Sequence, residues 1–338
     1  MDSTQSHQLP FPWLNPVAQQ LTQTWQSGRF HHAMLFEGQQ GIGKFALSRW
    51  LANGFMCQNP QGPHDTQGAL YTQGLGACGQ CKSCLLFNAG NHPDCRTIDN
   101  DNPSIGVDDI RQATAFVYSK SQIAQRRVLL INKAEKLTEA AANALLKTLE
   151  EPCANVFILL SCDDRAKLLP TITSRCFKML VTATDSGLVY QWLVNQVGAL
   201  DEATFNQLYT LSNKAPLKVL EWLQQNKLAE VEQFTGQFGQ WLTGNLSNVV
   251  LKNALEGNAF TLLLFHHLLI NHLRTRLVNC HEVKRQAVNA GQQFAAVQQL
   301  FDQMSQFSRD GLQILGQNKS LALFTLLNQV ASCIKDIR

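Results

Sequence analysis

The stretch AMLFEGQQGIGKF, residues 33–45, sets the reading of the whole chain. Ala33–Phe36 is a short apolar run of strand character, the glycines that follow make a turn, and Phe45–Phe55 reads as a helix. A strand, a glycine-rich turn and a helix in that order open a βα unit. Gly38, Gly41, Gly43 and Lys44 satisfy the spacing G-x-x-x-x-G-K. In that setting backbone N–H groups approach phosphate oxygens and the lysine reaches the outer phosphates. The next position calls for a Ser or Thr hydroxyl to hold magnesium, and here it is Phe45.

Two more apolar runs, Arg127–Ile131 and Val156–Ser161, read as strands of the same parallel α/β sheet. Between them Thr138–Glu151 is rich in Ala, Leu, Glu and Lys and stops at Pro152. Thr138 is placed to cap this helix, and the proline forces its end. The strand 127–131 should finish on an acidic pair that holds the metal and activates water. It finishes on Asn132-Lys133, and Glu135 stands at the wrong spacing to replace it. Three readings compete for the loop: a working ATPase site, a nucleotide site without hydrolysis, and a purely structural joint. The residues favour the joint.

Residues 58–77 carry Gly, Pro, Gln, His and Thr without periodicity and read as an inserted loop. Beyond about Val181 strand signals fade. Helices are expected over 188–197, 202–211 and 217–223, and the chain reads as helical from about Leu228 onward. The expected fold class is thus α/β followed by all-α. It divides into an α/β domain over 1–182, a small helical lid over 183–226 and a helical domain over 227–338.

Inside the α/β domain, Cys78, Cys81 and Cys84 have the spacing C-x-x-C-x-x-C. A structural zinc takes four such ligands in a tetrahedron, so one more must come from elsewhere, with Cys57, Cys95 and His92 as candidates. An iron–sulfur cluster uses similar thiolate spacings and is the rival reading. Four protein ligands leave no open position, which makes the centre structural. Cys153, Cys162, Cys280 and Cys333 read as small buried apolar residues.

Bulk properties agree with a packed, multi-domain chain. Of 338 residues, 45% are hydrophobic and 16% charged, enough to bury a large core and too apolar for disorder. The formal charge of +3 is too small to mark a strongly basic nucleic-acid binder. No apolar run approaches the roughly 18–20 residues that span a bilayer, and the N-terminus has no secretion-signal pattern. The ten cysteines are therefore expected in a reducing, cytoplasmic setting.

Arg175 lies in Leu169-Pro-Thr-Ile-Thr-Ser-Arg-Cys176, after the strand 156–161. Alone it reads as a surface arginine. An arginine at a domain edge can also stabilise charge on a phosphate held by a neighbouring subunit.

Three segments together resemble the clamp-loader branch of the AAA+ proteins. They are the phosphate-loop remnant with its Cys57…Cys78-x-x-Cys81-x-x-Cys84 insertion, the helix LTEAAANALLKTLEEP over 137–152, and Ser174-Arg175-Cys176. Pro12-Trp13-Leu14, GRFHHA over 28–33 and GNHPD over 90–94 add to the likeness, which covers roughly residues 11–180. The resemblance implies a RecA-like AAA+ domain with a zinc knuckle, a helical lid and a helical collar. It implies Cys57, Cys78, Cys81 and Cys84 as the zinc ligands over an insertion spanning 57–84. It implies Arg175 as an arginine finger serving the ATP site of an adjacent gamma/tau subunit. It places the chain with the members that lack a working nucleotide site. Implied partners are the gamma/tau and delta subunits of the DNA polymerase III clamp loader and, through that assembly, the sliding clamp and primed DNA at replication forks on the nucleoid, with no membrane. Two other functions compete: an active gamma/tau-like ATPase, which needs a hydroxyl at 45 and acids at 132–133, and a zinc-knuckle nucleic-acid-binding module, which needs a basic, aromatic surface near 78–84.

Overall fold

The computed structural model describes residues 9, 11–60, 75–99 and 102–256, together with scattered positions between 260 and 275 and residues 327–328. It separates into two compact units, Met1–Phe205 with Lys214–Lys218, and Asn206–Asn213 with Val219–Arg338.

The first unit is built on a five-stranded sheet: β1 (Ala33–Glu37), β2 (Cys95–Ile98), β3 (Arg127–Ile131), β4 (Val156–Cys162) and β5 (Phe177–Leu180). All pairings are parallel and the order is β2-β3-β4-β1-β5, so β4 is the middle strand and β3 and β1 flank it inside the sheet. Strands buried on both faces need continuous apolar sequence, which is what β1, β3 and β4 have. Ala33 sits opposite Ile158 and Leu35 opposite Leu160 in the ladder.

Side-chain alternation sorts those strands into two cores. Ala33, Leu35, Leu129, Ile131, Ile158 and Leu160 face α4 (Val107–Tyr118) and α5 (Glu139–Glu150), which bring Ile110, Val117, Leu145 and Leu149. On the other face Phe157 stacks on Phe55 at 4.2 Å, and Trp25 and Phe30 close an aromatic cluster around them. Phe55 belongs to α2 (Lys44–Met56) and Trp25 to α1 (Asn15–Gln26).

The expected strands are present, and the two helices expected in the α/β domain, 45–55 and 138–151, shift only by a residue at their ends. Thr138 caps α5, its hydroxyl accepting from the Ala141 N–H at 3.2 Å. This is the parallel α/β sheet expected from the sequence. The edge strands β2 and β5, with α1 and α4, have no counterpart in the sequence reading. Helices follow at α7 (Ser186–Val197), α8 (Glu202–Leu211), α9 (Pro216–Gln224), α10 (Leu228–Thr243) and α11 (Asn248–Leu255); α3 (Lys82–Asn88) and α6 (Pro170–Thr173) precede them. The expected helical run beyond 256 lies largely outside the described residues. No helix among the described residues is long and apolar enough to cross a membrane.

Candidate metal centre and phosphate-loop site

The metal centre begins at the end of α2. Gly54 there lets the returning chain lie against the helix, since a Cβ would stand 1.6 Å from the Leu75 carbonyl oxygen. That approach brings Cys78 back to Cys57, whose sulfur accepts from the Cys78 N–H at 3.2 Å. The Sγ atoms of Cys57, Cys78, Cys81 and Cys84 all lie within 4.8 Å of one another. The Cys57–Cys81 and Cys78–Cys84 separations are each 4.0 Å. A tetrahedron with 2.3 Å metal–sulfur bonds has sulfur–sulfur edges of about 3.8 Å, so the quartet fits a thiolate-bound ion of that kind.

Backbone N–H groups of Cys81 and Cys84 point at the sulfurs of Cys78 and Cys81, each at 3.4 Å, and Cys81 caps α3. Cys57 is pulled down to about 5, first by its bond with the Cys84 thiol and against the opposing effect of burial. The same bond raises Cys84. One thiolate is thus already favoured in the cluster.

Neither rival fourth ligand is in place. His92 is engaged with Ser83, Nε2 to Oγ at 2.7 Å, while Ser83 donates to the Met56 carbonyl at 2.7 Å. The other ring nitrogen, Nδ1, accepts from the Asp94 N–H at 3.1 Å, which fixes the Nε2–H tautomer. Cys95 begins β2 and its thiol is pushed up to about 12 by burial. Of the four cysteines read as buried apolar residues, Cys162 is buried, Cys153 is only partly so, and Cys280 and Cys333 lie outside the described residues.

The phosphate loop joins β1 to α2 at the carboxyl end of the sheet, the position from which parallel sheets serve ligands. Lys44 is buried, and its Nζ donates to the Gln39 carbonyl at 2.9 Å and to the Asp163 carboxylate at 2.5 Å. Asp163 directly follows β4. Its N–H donates to Glu135 at 3.3 Å, and burial followed by the Asp163 charge pushes the Glu135 carboxyl up. Glu135 therefore reaches the loop's surroundings through the turn after β3. At that turn Lys133 has left-handed backbone, φ 53°, and Asn132 accepts from Ser161 at 2.6 Å and donates to Asp99 at 2.8 Å.

Other parts of the same unit press on the loop. Trp13 Nε1 donates to the Ile42 carbonyl at 2.9 Å, and the Phe11 ring lies against Gly43. Phe11 and Trp13 stack at 5.0 Å, with Trp192 edge-on to both. The Leu217 N–H donates to the Gly41 carbonyl at 3.0 Å.

Arg175 lies away from this loop, after α6. Its Nε donates to Glu150 at 2.6 Å, Nη2 pairs with the same carboxylate oxygen, and Nη1 donates to the Thr171 carbonyl at 3.0 Å and to Ser174 Oγ at 3.2 Å. The sequence reading missed Asp163 and Glu150. A carboxylate directly after β4 is a readable signal for the first; the second lies inside the quoted helix motif 137–152, which gave it no role.

A family model described as DNA polymerase III, delta subunit, matches residues 13–184. The DNA polymerase III subunit delta' of Haemophilus influenzae is 36% identical over 229 residues, 68% of this chain and 66% of that protein. The subunit of the same name from Yersinia pestis is 42% identical over 189 residues, 54% of this chain and 51% of that protein. The Escherichia coli K12 protein of that name is 32% identical over 239 residues, 68% of each chain. The aligned part thus spans between about half and two thirds of the length of these relatives.

Proposed function

Since the chain belongs to the DNA polymerase III delta-subunit family, we propose that it is a clamp-loader subunit of the delta-prime type, without ATPase chemistry of its own. In this role it joins gamma/tau and delta subunits, and the assembly places the sliding clamp on primed DNA at the cytoplasmic replication fork, on the nucleoid. Polymerase catalysis belongs to other chains of the holoenzyme.

The observation that carries this reading is the Lys44–Asp163 pair. In a working loop the lysine charge is balanced by phosphate, whereas here the chain's own carboxylate balances it at 2.5 Å. Phe45 brings no hydroxyl for magnesium, and Asn132-Lys133 brings no acidic pair. An active gamma/tau-like site needs both the hydroxyl and the acidic pair.

Arg175, in contrast, is at the surface. In the proposed role it acts on ATP bound to the adjacent gamma/tau subunit. There a water oxygen bonds to the γ-phosphorus as the bond to the ADP oxygen breaks, and the guanidinium stabilises the accumulating negative charge while keeping its protons. Such a finger contributes roughly 10³-fold or more to hydrolysis.

Cys57, Cys78, Cys81 and Cys84 would hold one zinc ion, which supplies cross-linking energy to the insertion and no chemistry to the reaction. The Ser83–His92–Asp94 chain of hydrogen bonds ties that insertion to the start of β2.

Reconstitution with cognate gamma/tau and delta subunits tests the proposal. Arg175→Ala should assemble, keep its metal and slow DNA- and clamp-stimulated ATP hydrolysis at least tenfold, while the isolated wild-type chain turns over no ATP. Turnover by the isolated chain that Lys44→Ala abolishes would overturn it.

A further inference from the structure

An arginine that must meet a partner's phosphate needs a fixed direction as well as a charge. The guanidinium of Arg175 is held on two sides. Its Nε–Nη2 edge faces one oxygen of Glu150, and Nη1 faces the Thr171 carbonyl and the Ser174 hydroxyl. What remains is the outer Nη1–Nη2 edge, where Nη2 keeps a hydrogen not directed at Glu150.

The two anchors come from different elements. Glu150 is the last residue of α5, whose inner face packs into the sheet core through Leu145 and Leu149 and whose end is set by Pro152. Thr171 and Ser174 belong to the short helix α6 and its cap, where Ile172 is buried in the same core. A rigid helix end and a rigid turn thus hold the guanidinium between them. Exposed pairs of this kind stabilise a fold by about 0–1 kcal/mol, so stability alone does not account for four hydrogen-bonding contacts on one surface arginine.

We propose that Glu150 is the positioning residue for Arg175: it orients the guanidinium so that the outer edge meets the nucleotide of the neighbouring subunit. This rests on the arginine-finger reading above. Misplacement of a reacting group by about 1 Å costs on the order of 100-fold in rate. A side chain that loses one anchor while keeping the other should lose less, about tenfold.

The test uses the complete loader reconstituted with cognate gamma/tau and delta subunits, and steady-state ATP hydrolysis with clamp and primed DNA. Glu150→Ala should lower kcat about tenfold and leave KM for ATP unchanged, with the loader's mass intact by native mass spectrometry. Glu150→Gln keeps an oxygen acceptor for Nε and Nη2, and should restore kcat to within about twofold of wild type. In the Arg175→Ala background, Glu150→Ala should add no further loss. A wild-type kcat for Glu150→Ala beside an impaired Arg175→Ala would overturn the positioning role and leave the finger intact. A kcat above wild type would overturn it as well, since the carboxylate would then compete with phosphate for the arginine. Equal impairment by Glu150→Gln and Glu150→Ala, or further loss in the double variant, would assign Glu150 a structural role instead. A wild-type rate for Arg175→Ala would remove the finger reading and this one together.

Discussion

The Lys44 ammonium and the Asp163 carboxylate, 119 residues apart in sequence, form an ion pair of 2.5 Å that ties the turn after β1 to the end of β4. Lys44 is 6% exposed and Asp163 27% exposed, so the two partners are desolvated unequally. Removing the acid leaves a buried cation without its counter-charge, which costs about 3–5 kcal/mol in fully buried pairs. Asp163→Ala should therefore destabilise the protein by about 2–4 kcal/mol. Lys44→Met should cost less, because the remaining carboxylate still reaches water. Urea midpoints of the two variants decide the matter, and equal stability of Asp163→Ala and wild type would rule out the pair as a clasp.

Metal removal should act on the same unit from its other side. The cysteine quartet is drawn together by 3.2–3.4 Å N–H···S contacts, with little apolar packing of its own. Metal-binding energy is linked to folding in such sites. We expect about one zinc per chain by elemental analysis and a melting temperature several degrees lower after chelation. Cys57→Ser should lose the ion, whereas Cys95→Ser should retain it. An iron signal with visible absorbance would replace zinc by a cluster.

Acid should unfold the protein in two stages. Burial holds His32 and His92 below the ordinary histidine value; the Leu149 carbonyl partly offsets this for His32 and the Asp94 charge for His92. The unfolded chain then takes up these protons first, so stability declines as pH falls below about 6.5. Asp94 behaves oppositely. Burial alone would raise it, but the N–H groups of Ile123, Ala124 and Gln122, at 2.7–2.8 Å, outweigh burial and hold it low. Its contribution is complete above about 3.8 and is lost as pH falls through its lower folded value. His32→Gln should flatten the upper stage. Asp94→Asn should remove the lower one and weaken the fold at neutral pH, because Arg127 then loses its buried counter-ion at 3.7 Å. Plotting the wild-type-minus-variant difference in urea midpoint against pH cancels thiolate protonation at the metal centre.

What the sequence made legible was local. Ala33–Lys44, the capped helix after Thr138 and the three cysteines at 78–84 each carry a complete pattern within a few residues. Long-range partnerships were not legible. Cys57 stands 21 residues before Cys78; spacing alone does not separate it from Cys95 and His92, the family resemblance selects it, and the closed insertion brings it to the trio. The strands β2 and β5 have four residues each and mixed exposure, so their membership in the sheet follows from β3 and β1 beside them. Asp163 and Glu150 acquire meaning from Lys44 and Arg175, partners that periodicity cannot bring together.

The phosphate loop itself offers a sharper test of its structural role. Gly43 has φ 97°, a left-handed conformation, and an added Cβ would meet the Phe11 ring at 2.7 Å. Gly43→Ala therefore carries two costs. The backbone cost is about 1–2 kcal/mol and does not depend on any neighbour. The steric cost depends on Phe11, whose ring is itself fixed by stacking on Trp13 at 5.0 Å. Phe11→Ala alone should cost about 3–5 kcal/mol through the cavity it leaves. In that background the methyl of Gly43→Ala enters open space, so the second substitution should cost only its backbone share. The double variant should thus be more stable than the sum of the two single losses predicts, by about 1–2 kcal/mol, inside the span of roughly 0.5–3 kcal/mol found for residues in direct contact. Additive losses in a urea-denaturation cycle would mean that Phe11 does not press on the loop, and that the glycine is kept at 43 for its backbone alone.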